Sequence, residues 1–301
     1  MPPPSAPLAA VTAVLSLDMA ARVLRLFPGP PEEVALAGLY VADALHTLGS
    51  AAAPFVYASF VGSLDGRIAL QDGDANHLPV EITSENDFRL FLELQAQADC
   101  LVTHGGYLRD LAAGRLDDVL QIGTRAVDRD LARWRHENGL SAQPAIVIAS
   151  ASLDFPIPQS VIREKQRVLI ATGRQAPSDR VDALRACGHP VIVVGDGASV
   201  EGAPLVRELG KLGFRSVYLL TGPRMLSTML RDGMLSRLYL TIAHRVVGGE
   251  SFHTMATGPR LEGAGRLRLS SLYYDITAPD GVGQWFARFE PLPRGQGSTQ
   301  A

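Results

Sequence analysis

Short apolar runs alternate with amphipathic segments along most of this chain, and the alternation changes character near residue 235. Phe55–Val61, Cys100–Thr103, Ala145–Ala149, Val168–Ala171, Pro190–Val194 and Ser216–Leu220 are apolar runs bounded by turn-forming residues, the pattern of buried strands. Helical patterns fall between them. One runs from Ser84 to about Gln97, where Ser84 with Asp87 three residues on resembles a capping box. Others are Ser178–Ala186 with an N-cap serine, Ala203–Leu212 closed by Gly213, and Pro223–Asp232 closed by Gly233. Such alternation predicts an α/β fold: a mostly parallel central sheet, right-handed crossovers, and helices on both faces. Leu235–Arg245, Leu267–Ile276 and Gln284–Glu290 then read as strands with no helix between, which predicts an antiparallel C-terminal edge.

The ends and one interior stretch read differently. Residues 107–143 are loop and polar helix, with Trp134 expected to dock on the core. Residues 1–7 are Pro-rich, and the stretch to Gly49 reads as helical. There Val34, Leu36, Leu39, Tyr40, Ala44 and Leu48 share an apolar face after a break at Pro28–Pro31. The predicted organisation is a helical N-terminal extension over 1–53, one α/β domain over 54–292 and a disordered polar tail over 293–301. No internal repeat is visible.

Composition narrows the partners. A chain of 301 residues with 47% hydrophobic and 20% charged residues is globular in type and can bury a sizeable core. A net charge of −3 and a pI near 6.2 argue against nucleic acid or an anionic membrane surface as partner. Cys100 and Cys187 are too few and too far apart for a zinc site or a disulfide framework, and are expected as reduced core residues. The apolar run Leu8–Leu17 has no Lys or Arg before it and Asp18 directly after it, a poor signal peptide. The expectation is a cytoplasmic protein with no metal and a small-molecule substrate.

Three segments carry candidate chemistry. Thr221-Gly222-Pro223 joins a strand to a helix start, where unpaired N–H groups and the helix dipole favour a phosphate; taken alone, such a junction is more often just a turn. Ser63-Leu64-Asp65-Gly66 is a tight acidic turn after a buried strand. His104-Gly105-Gly106-Tyr107 again follows a strand, with His104 a candidate acid. In open α/β sheets ligands collect at those strand ends. The dinucleotide fingerprint G-x-G-x-x-G is absent, since Val200 stands where Gly195-Asp196-Gly197 would need its third glycine.

In this order, the strand leading to SLDG, the helix after Thr83-Ser84, the Gly-rich turn and the stretch Leu219–Gly249 resemble the reductase domain of riboflavin biosynthesis. The resemblance covers roughly residues 54–260. It implies a dihydrofolate-reductase-like fold and an NADPH-dependent reductase that opens the ribose of a ribosylaminopyrimidine 5′-phosphate by hydride delivery to C1′. A homodimer is also implied. Carried over residue by residue, Gly222, Pro223, Arg224, Met225 and Leu226 would hold the diphosphate. Gly62, Ser63, Thr103, Gly105, Gly106 and Ser150 would contact the cofactor, and Asp65 would act at the substrate pocket as the catalytic residue. Asn76, His77 and Arg109 are further substrate candidates, with Arg89 and Arg115 available as cations.

The departures are specific. Leu220 stands where the family usually has a substrate-binding Glu, Gln95 where it has an Arg, and Tyr107 where it has a Thr. The deaminase motif that accompanies the bifunctional members is absent. Three readings stay open: this reductase, a paralogous NADPH reductase for a pterin or small carbonyl compound, and a non-catalytic NADP(H)-binding protein.

Overall fold

A computed structural model describes residues 21–72 and 75–293. The leader, the run Leu8–Leu17 and the tail from Arg294 lie outside them. The chain opens with β1 (Arg22–Phe27) and β2 (Glu32–Ala35), two antiparallel strands, where a helix was expected. Pro28–Pro31 is therefore a hairpin turn, and the apolar positions from Leu36 to Leu48 lie on turns and single 3₁₀ turns. Gly49 does not end a helix. Its Cα passes so close to Arg215 that a Cβ would lie 2.0 Å from that carbonyl oxygen.

The α/β region follows the alternation closely. In order come β3 (Phe55–Ser63), β4 (Ala69–Asp72), β5 (Ala75–His77), α1 (Glu85–Ala96), β6 (Cys100–His104), α2 (Gly105–Ala112), α3 (Arg129–Glu137), β7 (Ala145–Ala149), α4 (Gln159–Arg163) and β8 (Val168–Thr172). Then come α5 (Ser178–Ala186), β9 (Val191–Val193), α6 (Gly202–Lys211), β10 (Ser216–Leu219), α7 (Pro223–Asp232), β11 (Arg237–Ala243), β12 (Phe252–His253), β13 (Leu267–Asp275) and β14 (Gln284–Pro291).

One eleven-stranded sheet carries the fold, in the order β2-β1-β13-β14-β11-β3-β10-β6-β7-β8-β9. From β11 to β9 the strands are parallel. The antiparallel part begins only at β14, so the run Leu235–Arg245 belongs to the parallel half, against expectation. The N-terminal segment is not a separate helical extension, because β1 pairs with β13 and extends that half. β12, β4 and β5 form a small second sheet.

Period-two alternation splits the core. Tyr57, Leu101, Ile146, Ile170 and Tyr218 face one side, where α1, α2 and α4 supply Leu90, Leu94, Leu108 and Val161. Val56, Val102, Val147, Leu169 and Val217 face the other, against Leu205, Leu209, Leu226 and Met229 of α6 and α7. Strands covered on both faces read as continuous apolar runs, and β7 and β8 are buried throughout. Full burial of each such aliphatic side chain stabilises by roughly 1.5–3 kcal/mol.

Trp134 docks as expected, packing on the cluster of Leu92, Ala96 and Leu131 and standing edge-on to His46. Cys100 is buried in the core, but Cys187 caps the C-terminus of α5 and is exposed. Ser178 is the first helical residue, not the cap, and Pro177 takes that place.

Candidate active site

The parallel strands end on a cavity of about 1220 Å³. Its walls are the second half of β3, the start of α1, the Gly114–Leu120 loop, the Leu219–Gly222 turn and the Thr277–Asp280 loop. Tyr40 from the N-terminal segment and Tyr239 and Thr241 from β11 complete it.

The Gly222 turn opens on this cavity. Pro223 occupies the first turn of α7, where its missing N–H costs nothing, and Gly233 closes the helix at φ 69°. No side chain caps the N-terminus, leaving first-turn N–H groups directed out of the helix end. Nothing lies within 4 Å of a Cβ placed on Gly222, so the space in front of that end is free. Leu226 and Met225 turn their side chains into the core beneath and offer only backbone to a ligand, while Arg224 is exposed. Thr103, also on the cavity wall, is fully buried with a hydroxyl that has no hydrogen-bond partner. An orphaned buried hydroxyl beside an open helix N-terminus suits a phosphate-bearing cofactor.

The other predicted residues separate. Asp65 does not line the cavity. Its carboxylate accepts from the Ser63 hydroxyl, from the backbone N–H groups of Val247 (3.2 Å) and Gly248 (2.9 Å), and pairs with Arg67 at 3.0 Å. These donors, the Ser63 hydroxyl foremost, hold its pKa down to about 2. Asp65 thus ties the SLDG turn to the loop after β11, a positioning role instead of a catalytic one. Gly62 and Ser63 are buried at the end of β3, just beyond the lining residues.

Gly105 and Gly106 answer to packing. A Cβ on Gly105 would meet Phe155 at 3.0 Å and Ser150 Oγ at 3.1 Å, and one on Gly106 would meet His104 Nδ1 at 2.8 Å. Ser150 accepts from Leu153 N–H, and His104 caps α2 by accepting from Tyr107 N–H at 3.2 Å. Burial lowers the pKa of His104, so it serves as a neutral cap and not as an acid. Asn76 bonds His253 on the small sheet, outside the cavity wall, as is His77. Arg109 is exposed and donates to the Asp154 carbonyl. Arg89 is buried between Glu93 (3.0 Å) and Asp130 (2.6 Å) and cannot serve a substrate. Arg115 does line the cavity, held by Asp110.

The three departures converge on the same place. Leu220 makes the wall apolar beside Gly222. Tyr107 donates its hydroxyl to the Asp117 carbonyl at 2.9 Å and accepts from Val119 N–H, while the Gln95 amide donates to the Val119 carbonyl at 2.9 Å. Together they clamp the loop that carries Arg115 over the cavity.

One site residue escaped the sequence reading. Ser84 caps α1 by accepting from Asp87 N–H at 3.0 Å, but the Asp87 carboxylate does not return to Ser84. It lines the cavity beside Thr241. Burial raises its pKa to about 6. The signal was present, an acid three residues after a cap, but spacing alone assigned it to the cap.

Residues 54–276 match the family described as the RibD C-terminal domain. The chain belongs to that family. It is 22% identical over 205 residues to the 2,5-diamino-6-ribosylamino-4(3H)-pyrimidinone 5′-phosphate reductase of Archaeoglobus fulgidus, covering 68% of this chain and 87% of the relative. It is 23% identical over 222 residues to the protein of that name from Aquifex aeolicus, covering 72% and 90%. A pyrimidine reductase-like protein of Corynebacterium diphtheriae shares the fold with a TM-score of 0.58 at 18% identity, covering 79% and 92%. The reductase fold implied by the resemblance is thereby borne out. No helix among the described residues is long and apolar enough to cross a membrane.

Proposed function

We propose that this chain is an NADPH-dependent reductase of a ribosylaminopyrimidine 5′-phosphate, converting the ribosyl group to ribityl. The observation that carries this reading is the uncapped, unobstructed start of α7 opening on the cavity beside the orphaned Thr103 hydroxyl, in a chain of the RibD reductase family. NADPH, when bound, supplies hydride to C1′ of the opened sugar imine, and the nitrogen gains a proton to leave a secondary amine.

The protein's part is placement. The α7 N–H groups and the gap at Gly222 hold the diphosphate, and Thr103 gives a hydroxyl to the cofactor. Phe60, Phe88, Phe91 and Leu220 exclude water and supply flat apolar surface for the rings. Arg115, on its clamped loop, is the one cation among the described lining residues and meets the substrate's 5′-phosphate at the mouth. Holding hydride donor and acceptor in register supplies much of the rate, so little acid–base machinery is needed. A homodimer belongs to the same reading, with the exposed Ile276, Val282 and Trp285 available to be covered; sedimentation at micromolar concentration would return a monomer if it is wrong.

The test pairs NADPH oxidation in the presence of the diaminopyrimidinone phosphate with a calorimetric NADPH titration of wild type and Gly222→Asp. A carboxylate placed against the diphosphate lowers NADPH affinity by roughly 100-fold or more. Unchanged affinity in Gly222→Asp places the phosphates elsewhere, and binding without substrate-dependent oxidation refutes the reductase.

A further inference from the structure

Five carboxylates line the cavity: Glu81, Glu85, Asp87, Asp117 and Asp280. Four of them are solvent-exposed, and Asp280 pairs with Arg245 at the rim. Asp87 alone among these five is half-buried in the cavity wall, and no described guanidinium or ammonium pairs with it. The fold also fixes its place. Asn86 donates to Asp275 at 2.7 Å, and Gln284 bonds both Ser84 and Asp275, so the first turn of α1 is pinned to β13 and β14. Thr241, on β11, lines the cavity wall beside Asp87, and the carboxylate keeps acceptor capacity for a ligand there.

A partly desolvated carboxylate without a cation gains when a ligand brings donors to it. A pyrimidinone carrying a 2-amino group and an N3–H presents two adjacent, parallel N–H donors on the ring edge remote from the ribose. That edge matches a carboxylate in the bidentate manner. In the deaminated counterpart, a uracil, C2 carries a carbonyl, and an acceptor replaces one of those donors. We propose that Asp87, with Thr241 beside it on the cavity wall, reads the 2-amino/N3–H edge and thereby selects the 2-amino-pyrimidinone over the corresponding uracil. This rests on the reductase reading above and names the substrate form of the same site.

Recognition of this kind is pH-dependent. Asp87 titrates near 6, raised by burial, and only its ionised form accepts from both donors. The titratable groups facing it, Tyr40 and Tyr218, are both pushed above the ordinary tyrosine range by burial and stay neutral there.

The experiment compares kcat/KM of the full chain for the 2,5-diamino-6-ribosylaminopyrimidinone phosphate and for the 5-amino-6-ribosylaminouracil phosphate. It uses wild type and Asp87→Asn, with an NADPH titration of each. The expected result is a wild-type preference for the diaminopyrimidinone that grows as pH rises through about 6. Asp87→Asn loses roughly 10- to 100-fold on that substrate, much less on the uracil, and keeps its NADPH affinity. Its preference is then flat with pH. Equal loss on both substrates, no loss, or weakened NADPH binding with unchanged preference overturns the assignment, the last by giving Asp87 to the nicotinamide carboxamide. Wild type that turns over neither pyrimidine while binding NADPH instead refutes the reductase reading, and the assignment with it.

Discussion

At the scale of single residues, Gly222 leaves the start of α7 open to the cavity, while the Asp65 carboxylate is taken up inside its own turn and the loop after β11. Gly222 was found, and its helix start and open front explain why. Strand, glycine, proline and helix follow one another locally, so they can be read locally. Asp65 was found too, but as a catalytic group. Its carboxylate is consumed by Ser63, Arg67 and two N–H groups from Val247 and Gly248, nearly two hundred residues on, which no local pattern reveals. Asp87 was assigned to a capping box that is only half made. A consequence at Asp65 is measurable. Its pKa lies lower in the folded protein than the ordinary value near ~4, so its stabilising contribution is present above that value and is lost as pH falls toward about 2. Thermal melts of wild type and Asp65→Asn should therefore differ at neutral pH and converge between about pH 4 and 2. A difference that persists unchanged at pH 2 would show that the charge is not what holds the turn.

Among the elements, α1 has the most duties. One face packs Leu90 and Leu94 on the sheet, and another packs Leu92 and Ala96 on α3. Its polar residues hold the N-terminal segment. Glu93 accepts from the N–H groups of Gly38, Tyr40 and Val41, and Gln97 accepts from Leu45 N–H while donating to the Tyr40 carbonyl. Those buried polar positions explain why residues 36–48 looked helical and are not. The apolar spacing is real, but the backbone is satisfied by side chains of another element. Glu93→Ala removes one of the two acidic partners of the buried Arg89 and leaves three N–H groups without their acceptor, and should cost about 3–5 kcal/mol in denaturant unfolding; a loss below 1 kcal/mol would contradict the anchoring role. The Gly114–Leu120 loop depends on Tyr107 in the same way. Tyr107→Phe removes two hydrogen bonds to the loop and should raise the substrate KM roughly 5- to 30-fold with NADPH affinity unchanged, about 1–2 kcal/mol of binding. An unaltered KM would show that the loop stays in place without that hydroxyl.

For the molecule as a whole, most of the parallel half was legible because each strand buried on both faces is a short apolar run with a helix on either side. The antiparallel half was less so. β11 looks like the strands that follow it, yet pairs in parallel with β3, and β1 joins β13 across almost the whole chain. Pairings of that range leave no trace in a window of residues. The cavity lies where the two halves meet, with parallel strand ends, Tyr239 of β11 among them, on one side and the Tyr40 and Thr277–Asp280 surfaces on the other. A ring system and a diphosphate can be held in a single crevice there. The most direct test of the whole account is transfer of label from NADPH deuterated at the transferable nicotinamide position to the ribosylaminopyrimidine phosphate. The expected product is a ribityl compound carrying one deuterium at C1′, formed in step with cofactor oxidation. Oxidation without label at C1′, or no product at all from protein that binds NADPH, would contradict it.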